Sequence, residues 1–163
     1  TLKNWSAERF AELGRRLATR LGKRAVIVGV TGEVGMGRDI AAAIGSDRAT
    51  SLAGAQALPE LHDTIRGAGL FIGNDTGATH LAGLLGVPTV CVFSGVADIR
   101  VWGTRGPFVR VVRSPQPCSP CYANHESQCV ADRACTRGIE VRDVLLACRR
   151  VLRAAAAGSA TRG

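Results

Sequence analysis

Leu70-Phe71-Ile72-Gly73-Asn74-Asp75-Thr76-Gly77-Ala78-Thr79-His80-Leu81-Ala82 decides the fold. Leu70 to Gly73 reads as a short apolar strand. Asn74 to Gly77 reads as a tight loop. Ala78 to Leu85 reads as a helix stopped by Gly86 and Pro88. Thr89-Val90-Cys91-Val92-Phe93 then gives another strand, apolar on consecutive positions, as in a parallel sheet covered on both faces. In such sheets ligands bind beyond the carboxyl ends of the strands. The free N–H groups that open the following helix attract anions.

The same alternation runs outward in both directions. Ser6 is a good N-cap, Glu8 suits the first turn, and Phe10, Leu13, Leu17 and Leu21 form an apolar stripe that Gly22 ends. Ala25 to Val30 reads as a strand buried on both faces. A Gly-rich loop, Thr31 to Gly37, leads to a helix from about Arg38 to Ile44. Pro59 suits the first turn of a helix with Leu58, Leu61 and Ile65 on one side. Val109 to Val112 is a further strand. Glu140 to Ala157 is a closing helix, with Val141, Val144, Leu145, Cys148, Val151 and Leu152 on its buried side. Alternating strands and helices predict an α/β fold with a Rossmann-like, doubly wound, mostly parallel sheet. The expectation is one domain over residues 1–157, incomplete at its N-terminus, and a disordered tail over 158–163.

Composition narrows the class. The chain has 163 residues, 46% hydrophobic and 21% charged, which excludes a disordered polymer. A domain of this size buries roughly 70% of its unfolded surface and needs no disulfide or metal to fold. No apolar run approaches a membrane span, and no basic-then-apolar leader precedes the first helix. The net charge is +8, and 19 of the 21 basic residues are arginines. It is uneven: +4 over residues 1–50, −2 over 51–100 and +6 over 101–163. Aromatics are 4%, too few to interleave with the bases as nucleic-acid binding asks. The charge fits solvated helix faces or a surface that attracts an acidic substrate or an anionic membrane.

Three groups of residues carry chemistry. In Gly73 to Ala82, Gly77 lets a phosphate approach the backbone, Asp75 or Thr76 can cap the helix, and His80 can lean back over the same anion site. A helix cap beside a half-buried histidine explains the same pattern. In Gly29-Val30-Thr31-Gly32-Glu33-Val34-Gly35-Met36-Gly37 the glycines are spaced G-x-x-G-x-G, which departs from the dinucleotide fingerprint. Glu33 there can accept from ribose hydroxyls or stand as an exposed loop acid. Cys118, Cys121, Cys129 and Cys135 include one C-x2-C knuckle, and His125 lies among them. They fit a structural metal site such as zinc, disulfides or free thiols. Cys91 and Cys148 read as core.

Together these residues resemble a known family. Gly73-Asn74-Asp75-Thr76-Gly77 with His80-Leu81-Ala82, followed by Leu85-Gly86-Val87-Pro88-Thr89-Val90 and Phe93, is similar to the signature of glycosyltransferase family 9, the ADP-heptose:lipopolysaccharide heptosyltransferases and their relatives. Lys3-Asn4-Trp5-Ser6 resembles the family's Lys-x-Trp-Pro segment, with Ser6 in place of Pro. Leu52-Ala53-Gly54, Leu58-Pro59-Glu60-Leu61, Cys118-Ser119-Pro120-Cys121 and the helix from Val141 resemble further segments in the same order.

The resemblance implies the C-terminal, donor-binding half of a two-domain GT-B enzyme. It implies an inverting transfer from a nucleotide-sugar, ADP-heptose, in lipopolysaccharide core synthesis. Asp75, Thr76, Gly77, Ala78, His80 and Lys3 would then hold the diphosphate, and Glu33 the ribose. The catalytic base and the acceptor contacts are expected from an N-terminal domain upstream of Thr1, so no catalytic residue is assigned and this chain alone is expected to be inactive. No divalent metal is implied for the transfer. The implied location is the cytoplasm, with peripheral contact at the inner membrane. A different class stays open beside it: a four-cysteine metal-binding α/β interaction module without transferase activity.

Overall fold

The structure, a computed structural model, describes residues 2–160. The chain forms two compact units, Ser6–Thr64 and Thr1–Trp5 with Ile65–Gly163. Among the described residues, five strands form one two-stranded and one three-stranded sheet, every pair parallel, the mostly parallel α/β arrangement that the sequence predicts.

In the smaller unit, α1 (Ala7–Leu21) begins at Ser6, whose hydroxyl accepts from the Arg9 N–H. It ends at Gly22, which takes the left-handed conformation (φ 60°) that side chains disfavour. Strand β1 (Ala25–Ile27) pairs with β2 (Ala49–Ser51), Ala25 beside Ala49 and Ile27 beside Ser51. Between them lies α2 (Val34–Ile44). Ala11, Ile40, Ala41, Ile44 and Ala49 form this unit's core, with Phe10, Ala25 and Ile27 packed on it.

Two expectations fail here. The strand stops at Ile27, and it is covered on one face only. Ala25 and Ile27 point to the helices, while Val26, one pleat step away, is 46% exposed. The Gly-rich stretch is also mostly helical. A 3-10 turn, Thr31–Glu33, runs straight into α2. The reason lies at Gly37. A Cβ there would stand 2.7 Å from Ser51 Oγ and 2.9 Å from Ala53 Cβ, so glycine lets the helix lie against β2.

Helix α3 (Leu58–Arg66) carries the chain from this unit to the other. Its Ile65 is buried, but Leu58, expected on the apolar side, sits at the first residue and is 72% exposed.

The larger unit holds β3 (Phe71–Asn74), β4 (Thr89–Val92) and β5 (Val109–Val112) in that order. The middle strand β4 is buried at all four positions, as its continuous apolar run predicts. Helix α4 (Gly77–Leu84) packs on β3 and β4, and α7 (Val141–Ala160) on β4 and β5. Val144, Cys148 and Val151 of α7 meet the sheet with almost no exposure. Two short helices, α5 (Ile99–Trp102) and α6 (Ala134–Arg137), lie in the connections on either side of β5. Because α7 reaches Ala160, residues 158–160 are helical where a tail was expected. Residues 161–163 lie outside those described. Among the described residues no helix is long and apolar enough to cross a membrane.

Candidate functional site

The carboxyl end of β3 delivers Asn74, Asp75 and Thr76 to the opening of α4. Thr76 is the N-cap, with extended backbone and no side-chain capping bond. Its carbonyl accepts from the N–H groups of Thr79 and His80, each at 3.1 Å. The N–H groups of Gly77 and Ala78 therefore face outward without an intrahelical partner, as the first turn of a helix requires. Nothing lies within 4 Å of where a Gly77 Cβ would be. The mouth of the helix is open.

Asp75 does not cap this helix. Its carboxylate is 7% exposed and stands between two basic groups. Lys3 Nζ is 3.8 Å from Oδ2, and His80 Nε2 is 3.2 Å from Oδ1. His80 thus leans toward the helix N-terminus, as helical geometry directs. With Nε2 on Asp75, Nδ1 is the ring nitrogen left for a ligand. Lys3 is 45% exposed and keeps ammonium donors for a second anion.

Two buried ties hold the arrangement. Thr79, fully buried, donates its hydroxyl to the Asn74 carbonyl at 2.6 Å. The Trp5 N–H donates to Asn74 Oδ1 at 2.9 Å, and the Trp5 indole N–H to the Ile139 carbonyl at 2.8 Å. Trp5 anchors the N-terminal segment, and Lys3, two residues before it, is carried to Asp75. Sequence reading did not single out Asn74 or Thr79. The signal was a polar pair flanking the signature loop, at a spacing of five.

Of the expected donor residues, Lys3, Asp75, Thr76, Gly77, Ala78 and His80 come together in this unit. Glu33 belongs to the other unit. There its Oε2 accepts from the Val30 N–H at 3.0 Å, closing its own turn. Oε1 remains for a ligand hydroxyl.

A second feature was missed in the sequence. At the carboxyl ends of β4 and β5 lies a cavity of about 310 Å³, bordered by Phe93, Ser94, Asp98, Arg100, Arg113 and Ser114. Asp98 caps α5 through the Arg100 N–H and also receives the Arg100 guanidinium at 2.7 Å. That guanidinium holds the Asp98 carboxyl below its ordinary range. The cavity and the α4 mouth share the sheet edge where ligands of open α/β folds bind.

The sequence model described as Glycosyltransferase family 9 (heptosyltransferase) matches residues 1–131. The chain belongs to glycosyltransferase family 9. Its fold is shared with ADP-heptose lps heptosyltransferase II of E. coli, at 24% identity and a TM-score of 0.72, over 92% of this chain and 42% of that one. A family 9 glycosyl transferase from Veillonella parvula agrees at 22% identity and a TM-score of 0.72, over 93% and 42%. The E. coli heptosyltransferase WaaC, solved with ADP, agrees at 26% identity and a TM-score of 0.60, over 69% and 34%. This family 9 chain thus spans less than half the length of each of these structures. No curated protein matches it.

Proposed function

We propose that this chain is the nucleotide-sugar-binding half of an inverting glycosyltransferase, with ADP-heptose as donor and a lipopolysaccharide-core sugar as acceptor. The observation that carries the reading is the open mouth of α4, with Lys3 and His80 beside it. Family membership and the ADP-bound WaaC support the choice of nucleotide.

The chemistry follows from the donor. An acceptor hydroxyl attacks the anomeric carbon, the bond from that carbon to the diphosphate oxygen breaks, and ADP leaves with the electron pair. Negative charge grows on the diphosphate as the bond lengthens. Groups already aimed at that charge lower the barrier most. The Gly77 and Ala78 N–H groups, the positive end of the α4 dipole and Lys3 meet that need. Asp75 holds Lys3 and His80 in place and offsets the Lys3 charge until the diphosphate arrives. The acceptor's proton goes to a base on the N-terminal half of the two-domain fold, which also holds the acceptor. On this reading the enzyme works in the cytoplasm, against the inner membrane, and the diphosphate contacts need no divalent metal.

Titration calorimetry with ADP tests the reading. Lys3→Ala and His80→Ala each remove a contact to a charged group, so each is expected to weaken ADP binding by about tenfold or more. Unchanged affinity in both variants, or no ADP binding by the folded wild-type protein, contradicts it.

A further inference from the structure

Three serines border the cavity at the carboxyl ends of β4 and β5, and none of their hydroxyl hydrogens has an acceptor among the described residues. Ser94 is 2% exposed, and its oxygen accepts from the Val96 N–H at 3.4 Å. The Ser114 oxygen accepts from the Gln116 side-chain amide at 3.3 Å. The Ser119 oxygen is buried with no hydrogen-bond partner among the described residues. Buried hydroxyls are nearly always paired, so an orphan at a cavity wall points to a group that fills the cavity.

The charge on the walls says what kind of group. Arg113 borders the cavity, exposed and with no carboxylate partner among the described residues. Arg100 is already taken, because the two Asp98 oxygens receive its guanidinium at 3.1 and 2.7 Å. Asp98 is thereby neutralised, and Arg113 leaves the cavity net positive. A free guanidinium beside hydroxyl donors is the set that holds a carboxylate or a phosphate. Phe93, Pro115 and Pro120 add apolar wall for the carbon face of a sugar ring. Backbone fixes the frame. The Cys121 N–H donates to the Gly95 carbonyl at 3.1 Å, and the Tyr122 N–H to the Val96 carbonyl at 2.8 Å. A Cβ on Gly95 would collide with Ser119 Oγ, so glycine lets the loop that carries Ser119 lie on the loop after β4. The four clustered cysteines, Cys118, Cys121, Cys129 and Cys135, border a separate cavity of about 10 Å³ with Gln116 and Ser119. Among the described residues no three ligating side chains are grouped to hold an ion.

We propose that the larger cavity is a subsite for an acidic group, carboxylate or phosphate, carried by the acceptor sugar. Asn74 pairs with Val92, so Asp75 and Phe93 leave neighbouring strands about 5 Å apart. The cavity therefore opens beside the α4 mouth, within one unit. The donor's negative charge is its diphosphate, which α4 already meets, so a further anion belongs to the other substrate. Arg113 and the Ser119 hydroxyl bind that anion, and the volume of about 310 Å³ suits a single sugar residue. The assignment to the acceptor rests on the transferase reading.

The experiment is amide NMR of the whole chain, first titrated with ADP and then, with ADP in excess, with glucose, glucuronate or glucose 6-phosphate. The expected result is saturable shifts at Ser94, Gly95 and Ser119 with at least one of the two acids and not with glucose. Glucuronate alone marks a carboxylate acceptor, glucose 6-phosphate alone a phosphorylated one, and both together a general oxyanion subsite. Arg113→Gln changes an exposed residue and is expected to weaken the acid's binding by about tenfold, with the ADP shifts at Gly77 and Ala78 kept. Ser119→Ala is expected to weaken it too without loss of thermal stability, since its hydroxyl has no partner to lose. Cavity amides that ignore both acids, that respond equally to glucose, or that respond to acid unchanged in Arg113→Gln overturn the proposal. Still cavity amides with moving α4 amides defeat this proposal alone. Gly77 and Ala78 amides that ignore ADP defeat the donor reading and, with it, the assignment to an acceptor.

Discussion

Asp75 keeps its carboxylate almost wholly out of water, between an ammonium and an imidazole. Such a group is tolerated only with partners, and here the partners are the groups a diphosphate needs. The lysine lies 72 positions away in the chain. No local pattern in the sequence joins it to Asp75, and only the family resemblance suggested it. Cys91 and Cys148 were legible as core thiols, and the core perturbs them. Burial pushes the Cys91 thiol up to about 11 and the Cys148 thiol up to about 12. The unfolded chain ionises both near the ordinary 9.0. The contribution these two thiols make to folding stability is then fully present below pH 9.0 and is lost as pH rises through about 11 and 12, because the unfolded state releases its protons first. Denaturant unfolding from pH 8 to pH 11 should show that decline flattened in a Cys91→Ala/Cys148→Ala double variant relative to its own pH 8 value. Parallel pH profiles for the two proteins would refute it.

At the scale of elements, α4 carries two glycines with opposite duties. A Cβ at Gly77 meets nothing within 4 Å, and one at Gly83 would stand 2.5 Å from the Arg105 carbonyl oxygen. Gly77→Ala is therefore expected to change stability by less than about 1 kcal/mol, yet to weaken ADP binding by about tenfold through crowding the helix mouth. Gly83→Ala is expected to cost about 2 kcal/mol or more of stability, because helix and loop backbones must separate. Thermal melts and ADP titrations of the two variants separate the roles. If both lose stability equally, the open mouth is not what the glycine preserves. The sequence showed α1, α4, β4 and α7 well because caps, stops and apolar spacing are local. It hid β2 and α5, three and four residues long, whose conformation depends on partners. It also made α2's first turn look like a loop. Glycine lowers helix propensity, and the packing of Gly37 on β2 overrode it.

For the whole molecule, one domain's length of chain was legible. No linker composition marks the boundary between its two compact units, Ser6–Thr64 and Thr1–Trp5 with Ile65–Gly163. The +8 net charge also misleads at this scale. It belongs to the ends of the chain, while residues 51–100, which hold the α4 mouth, are net −2. Anion binding there rests on oriented N–H groups, Lys3 and His80. Amide NMR of the whole chain titrated with ADP tests this most directly. The account predicts saturable shifts at Gly77, Ala78 and His80, with residues near the middle of α7 unmoved. A folded sample whose Gly77 to His80 amides stay fixed at millimolar ADP would contradict it.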